Sequence, residues 1–98
     1  MGYNVYMIKS FEHKGLKEFY ETGSKRGIQL DHAPKLARML DRLDASIKPQ
    51  DMNLPGYDLH HLKGNKKGMW SVSVSGNWRI TFYFIDQDAY LVDYLDYH

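Results

Sequence analysis

The sequence predicts an α+β fold in which two N-terminal helices pack on an antiparallel, mainly meander β-sheet. Three observations carry this. Leu36, Met39, Leu40, Leu43 and Ile47 recur at helical spacing and form one apolar stripe. Residues 69–75 alternate, with Trp70, Val72 and Val74 on one side and Ser71, Ser73 and Ser75 on the other. Residues 78–85 alternate likewise, setting Trp78, Ile80, Phe82 and Phe84 against Arg79, Thr81 and Tyr83, and Gly76-Asn77 between the two runs is a two-residue hairpin signal.

In chain order, residues 1–6 read as an N-terminal extension, and residues 5–10 can form a short strand with Tyr6, Ile8 and Ser10 on one side. Residues 12–22 form the first helix, with Leu16, Phe19 and Tyr20 on one face and Gly23 placed to end it. A mixed loop over 23–30 carries Lys25 and Arg26. Asp31 is a good N-cap for the second helix, with Pro34 in its first turn, where a missing N–H costs little. Lys35, Arg38, Asp41 and Arg42 lie off the apolar stripe, and Pro49 marks the end. Residues 50–57, with Pro55 and Gly56, read as a loop, and residues 57–62 could supply another strand. A turn at 86–88 leads into a last strand over 89–94. One sheet face lies under the helices and the other is free.

The 98 residues make one domain over the whole chain, and 43% hydrophobic residues suffice for a compact core. There is no cysteine, which excludes disulfides and a Cys-ligated zinc site and fits a reducing cytoplasm. No apolar run approaches the roughly 18 residues of a membrane span, and no signal-peptide pattern is read, so a cytoplasmic protein without membrane contact is expected. The net charge of +1 gives no global nucleic-acid footprint, so any such footprint must be local.

Three features could carry chemistry. Arg79 shares the free face with Thr81 and Tyr83, where a rigidly mounted guanidinium could clamp phosphate bidentately. His60-His61-Leu62-Lys63-Gly64-Asn65-Lys66-Lys67-Gly68 sets two imidazoles beside three ammonium groups. Adjacent His residues on a strand point opposite ways and cannot easily share a metal, so acid–base work or anion contact fits better. The third is Asp96-Tyr97-His98 at the very end, anchored by the strand before it. Together they suggest RNA cleavage without a metal. A base takes the ribose 2′-OH proton, the oxygen attacks the adjacent phosphate, an acid protonates the leaving 5′-oxygen, and cations stabilise the charge. His60 and His98 could supply base and acid in either order, Lys63 and Arg79 the stabilisation. Tyr97 could stack on a base or take part in proton transfer.

The strings Leu59-His60-x-Leu62-Lys63-Gly64, Trp70-Ser71-x-x-Val74, Asn77-Trp78-Arg79-Ile80-Thr81-Phe82, Asp88-Ala89-Tyr90 and the closing Asp96-Tyr97-His98 resemble the HigB toxins of the RelE/ParE superfamily, over residues 7–98. The resemblance implies a microbial RNase-like fold, ribosome-dependent cleavage of mRNA in the A site, and neutralisation by a helix-turn-helix antitoxin. It implies no cofactor. It places catalytic weight on His60, Asp96, Tyr97 and His98, and phosphate or RNA contact on Lys63 and Arg79, with Lys66, Lys67 and Asn77 beside them. Ser75 stands where some relatives carry a basic residue, and His61 where relatives carry Pro. The outward residues Lys35, Arg38 and Arg42 are expected to form part of the antitoxin surface. ParE-type members use the same scaffold to inhibit gyrase but lack the ribonuclease residues. A non-catalytic module that binds RNA or antitoxin is the other reading.

Overall fold

A computed structural model describes residues 8–97. α1 (Lys14–Thr22) and α2 (Ala33–Ala45) cover one antiparallel sheet in the spatial order β1 (His60–His61), β2 (Trp70–Ser75), β3 (Trp78–Ile85) and β4 (Asp88–Asp96). The two-helix, meander-sheet architecture agrees with the expectation. The core lies between: Leu16, Leu36, Met39, Leu40 and Leu43 from the helices meet Val72, Ile80, Phe82 and Val92 from the sheet, all fully buried.

Local chemistry sets the helix ends. His13 Nδ1 accepts the Leu16 N–H at 2.9 Å, so α1 begins just after His13 rather than at residue 12. Gly23 closes it at φ 83°, a left-handed conformation that suits glycine, with its N–H on the Phe19 carbonyl at 2.8 Å. Asp31 is not the N-cap of α2. It lies inside a 3₁₀ turn (Leu30–His32) that runs straight into the helix. Ile47 also departs from expectation. The Ser46 hydroxyl donates to the Arg42 carbonyl at 2.7 Å and the chain turns extended there, which leaves Ile47 48% exposed. Met52 is fully buried in a short 3₁₀ turn (Pro49–Met52) that leads into the expected loop.

Where an N-terminal strand was expected, Ile8 and Phe11 make only isolated parallel bridges to Ala89 and Val92, and residues 5–7 lie outside the described residues. This docking coincides with a bulge in β4. The register shifts by one residue between Thr81↔Asp93 and Tyr83↔Tyr90, and Leu91 sits at φ 54°. Its N–H donates to Ser10 Oγ at 2.9 Å. β4 also runs on to Asp96, two residues past the expected end.

Pairing separates the faces. Trp70↔Phe82 and Val72↔Ile80↔Tyr94 face the helices, whereas His60↔Ser71↔Thr81↔Asp93 and Ser73↔Arg79↔Leu95 face away. The second face is less free than expected: Ser71 and Thr81 are fully buried on it. The loop after β1 folds over this face, and a Cβ on Gly68 (φ 94°) would lie 3.1 Å from Tyr83 Cε1.

An aromatic cluster fixes the helix starts to the sheet. Tyr94 lies 4.6 Å from Trp78 and 5.3 Å from His13 by ring centroid, and its hydroxyl bonds His32 Nδ1 at 2.6 Å. Burial pushes the Tyr94 phenol above its ordinary value, and the Gln29 N–H donated to it opposes that shift. It is therefore protonated at neutral pH.

α1 meets the following loop backbone to backbone at Gly15 and Gly27. A Cβ on Gly15 would lie 2.7 Å from Gly27 Cα. Glycine to alanine within a helix ordinarily gains up to about 1 kcal/mol. Here Gly15→Ala is expected to cost about 1–3 kcal/mol by overpacking. A lowered denaturation midpoint in guanidinium would show it; a raised one would contradict the contact.

Candidate active site

β1 is short, but its edge pairing with β2 is firm: His60↔Ser71 and His61↔Trp70 fix which way each ring faces. His61 stacks on Trp70 with ring centroids 4.4 Å apart, on the helix side of the sheet. His60 faces the opposite way, exposed, in the same row as Ser71, Thr81 and Asp93. His60 Nδ1 lies 3.0 Å from the Asp58 carbonyl oxygen. A carbonyl can only accept, so Nδ1 carries the proton and Nε2 is left as the basic atom.

Arg79, the second residue of β3, is mounted on the same face. Its side chain is 22% exposed, and Nη1 lies 4.0 Å from Asp58 Oδ2. Asp58 thus touches both groups, His60 through its carbonyl and Arg79 through its carboxylate. Nη1 makes no hydrogen bond, and neither do the buried hydroxyls of Ser71 and Thr81 on the same face. A sheltered guanidinium N–H without an acceptor is costly, and an anion's oxygen is what would relieve it.

Tyr97 belongs to this face too. Its N–H donates to the Asn77 carbonyl at 2.8 Å, which continues the β3–β4 pairing past Asp96. With Asp93 and Leu95 facing away from the helices, alternation sends Tyr97 to the same side. Asp96 pairs across from Trp78 and lies on the other face, at its exposed end. The structure therefore brings His60, Arg79 and Tyr97 to one face and sets Asp96 on the other. Lys63, Lys66 and Lys67 are exposed on the loop that folds over that face, and Asn77 sits in the β2–β3 turn. His98 lies outside the described residues. Among the described residues, no three His, Asp or Glu side chains are grouped as a metal site would require.

Sequence reasoning gave Asp58 no role. Its left-handed backbone (φ 49°) and its double contact arise from the tertiary fold, and an aspartate two residues ahead of a histidine is too common a spacing to flag it.

Residues 9–98 match the family of HigB-like toxins, described as RelE-like toxins of the type II toxin–antitoxin system HigB. The chain belongs to this family. It is similar to the endoribonuclease HigB of Proteus vulgaris, with 45% identity over 92 residues covering 94% of this chain and all of the relative. It is also similar to toxin HigB-1 of Vibrio cholerae, with 37% identity covering 94% of this chain and 98% of that one. A HigB-like toxin has a cognate antitoxin as partner. Of the three cations expected to meet it, two already have partners within the chain. Lys35 Nζ lies over the Tyr57 ring, 5.9 Å from its centroid, and Arg42 Nε donates to the Asp51 carbonyl at 2.9 Å. Among the described residues, no helix is long and apolar enough to cross a membrane.

Proposed function

We propose that this HigB-like toxin is an endoribonuclease that cuts mRNA in the ribosomal A site by acid–base attack of the ribose 2′-OH, and that a helix-turn-helix antitoxin neutralises it. The observation that carries the proposal is the chain His60–Asp58–Arg79 on one sheet face: a histidine with Nε2 as its basic atom, and a guanidinium joined to it through one residue. The name of the Proteus vulgaris relative, an endoribonuclease, supports RNA cleavage.

In the proposed reaction one imidazole takes the 2′-OH proton. O2′ bonds to phosphorus, the bond from phosphorus to the 5′-oxygen breaks, and a second group returns a proton to that oxygen. His60 and His98 are the two proton carriers. Arg79 and Lys63 hold the charge that builds on the phosphate oxygens, with Lys66 and Lys67 extending the cationic surface. Tyr97 offers a ring for base stacking, worth about 1–3 kcal/mol. Asp96 and His98 complete the terminal set on either side of Tyr97 in sequence. This chemistry is confined to RNA, because DNA lacks the attacking hydroxyl.

The test is cleavage of mRNA on programmed ribosomes, with mapping of the new 5′ ends. Codon-linked cuts by the wild-type chain are expected. Arg79→Ala is expected to lower kcat/KM by about 10²-fold, as removal of one charge-stabilising donor does, and Arg79→Lys to restore it only in part because one ammonium cannot pair bidentately. Translation arrest without new ends, or arrest accompanied by lost gyrase supercoiling, would overturn the proposal.

A further inference from the structure

Asp58 is a negative charge in a site proposed to bind a polyanion. Its backbone adopts φ 49°, a region non-glycine residues enter rarely and aspartate more readily than most. That conformation turns the carbonyl onto His60 Nδ1 at 3.0 Å and brings the carboxylate to 4.0 Å from Arg79 Nη1. The carboxylate itself is 71% exposed, while the nitrogen it faces is sheltered from solvent and makes no hydrogen bond. The 4.0 Å separation is too long for a hydrogen bond, so the pair is held by charge alone.

We infer that the Asp58 carboxylate is an internal stand-in for the substrate phosphate: it covers the Arg79 guanidinium when RNA is absent and must swing away for phosphate to reach Nη1. The carboxylate, exposed and weakly held, can leave at low cost. The backbone carbonyl stays on His60 throughout, so the histidine keeps its tautomer while the anion site opens. Asp58 is thus a positioning residue with two separable parts, one that orients the base and one that competes with substrate. A phosphodiester, with its charge spread over two oxygens, matches the guanidinium fork better than a carboxylate held 4.0 Å away.

The inference rests on the proposed function for its meaning, but its test does not need RNA. Asp58→Asn keeps the left-handed tolerance and removes the charge, and Asp58→Gly does the same with no side chain. The probe is inorganic phosphate titrated into the full chain, followed by the NMR signals of the arginine side-chain N–H groups, with Arg79→Ala identifying the Arg79 signal. Both Asp58 variants are expected to bind phosphate about two- to fivefold more tightly than wild type, the range released by breaking an exposed ion pair. On programmed ribosomes they are expected to lower KM by a similar factor. Unchanged or weaker phosphate affinity in either folded variant would overturn the inference, whatever the ribosome assay shows. Tighter phosphate binding with no RNA cleavage by any form would keep the inference and overturn the proposed function.

Discussion

Replacing His60 with alanine is expected to lower the rate of RNA cleavage by about 10²- to 10⁴-fold, the usual cost of losing a positioned proton carrier. The fold should survive. His60 is exposed on an edge strand, and its side-chain bond goes to a carbonyl that water can serve equally well. The melting temperature should therefore move by no more than about 4 °C, as for surface substitutions within about 0.5 kcal/mol. His61→Ala is the matched control. It removes a ring stacked on Trp70 on the opposite side of the sheet, so it is expected to lower stability by about 1 kcal/mol and leave cleavage unchanged. Single-turnover kinetics with both variants separates the neighbours. Equal loss in the two, or full activity in His60→Ala, would remove His60 from the chemistry.

The largest effect on stability is expected at Phe82. It is fully buried at the middle of β3, opposite Trp70, and meets Phe84 edge-on with centroids 5.8 Å apart. Phe82→Ala should cost about 3–5 kcal/mol, because the sheet and two helices cannot collapse into the space left. A domain of this size holds only about 5–15 kcal/mol in total. The melting temperature should drop by more than about 12 °C, and calorimetry would report it. A loss below about 1 kcal/mol would mean that the helices do not seat on this part of the sheet.

Much of this architecture was legible in the residues because it rests on period alone. The Leu36, Met39, Leu40, Leu43 stripe is buried as its repeat dictates, and so are Val72 and Val74 of β2, whereas Ser71 on the opposite face is buried as well and the pairing with β3 slips between Ser73 and Ser75. Ile47 continued the stripe on paper but lies past the helix end, since a serine back-bond three-dimensionally terminates a pattern that spacing cannot see ending. Asp31 had the chemistry of a cap yet fell inside a 3₁₀ turn. In the site, Arg79 was placed correctly on the outer face by alternation within one strand. Relations between strands were out of reach: His60 and Arg79 meet through Asp58, which depends on β1 pairing with β2 and on a backbone angle no composition reveals.

The bulge at Leu91 has a consequence for length variation. Counting in twos from Ala89, which faces the helices, would send Asp93, Leu95 and Tyr97 to the helix side; the surplus residue reverses that parity for everything downstream. Position 91 is therefore where β4 can lose a residue and keep Tyr97 in register with Asn77, at the expense of the N–H that docks on Ser10. Between 93 and 96 a single-residue deletion exchanges the two sides downstream and turns Tyr97 to the face opposite Arg79. The end of this chain is specified by residue count as strictly as by residue type.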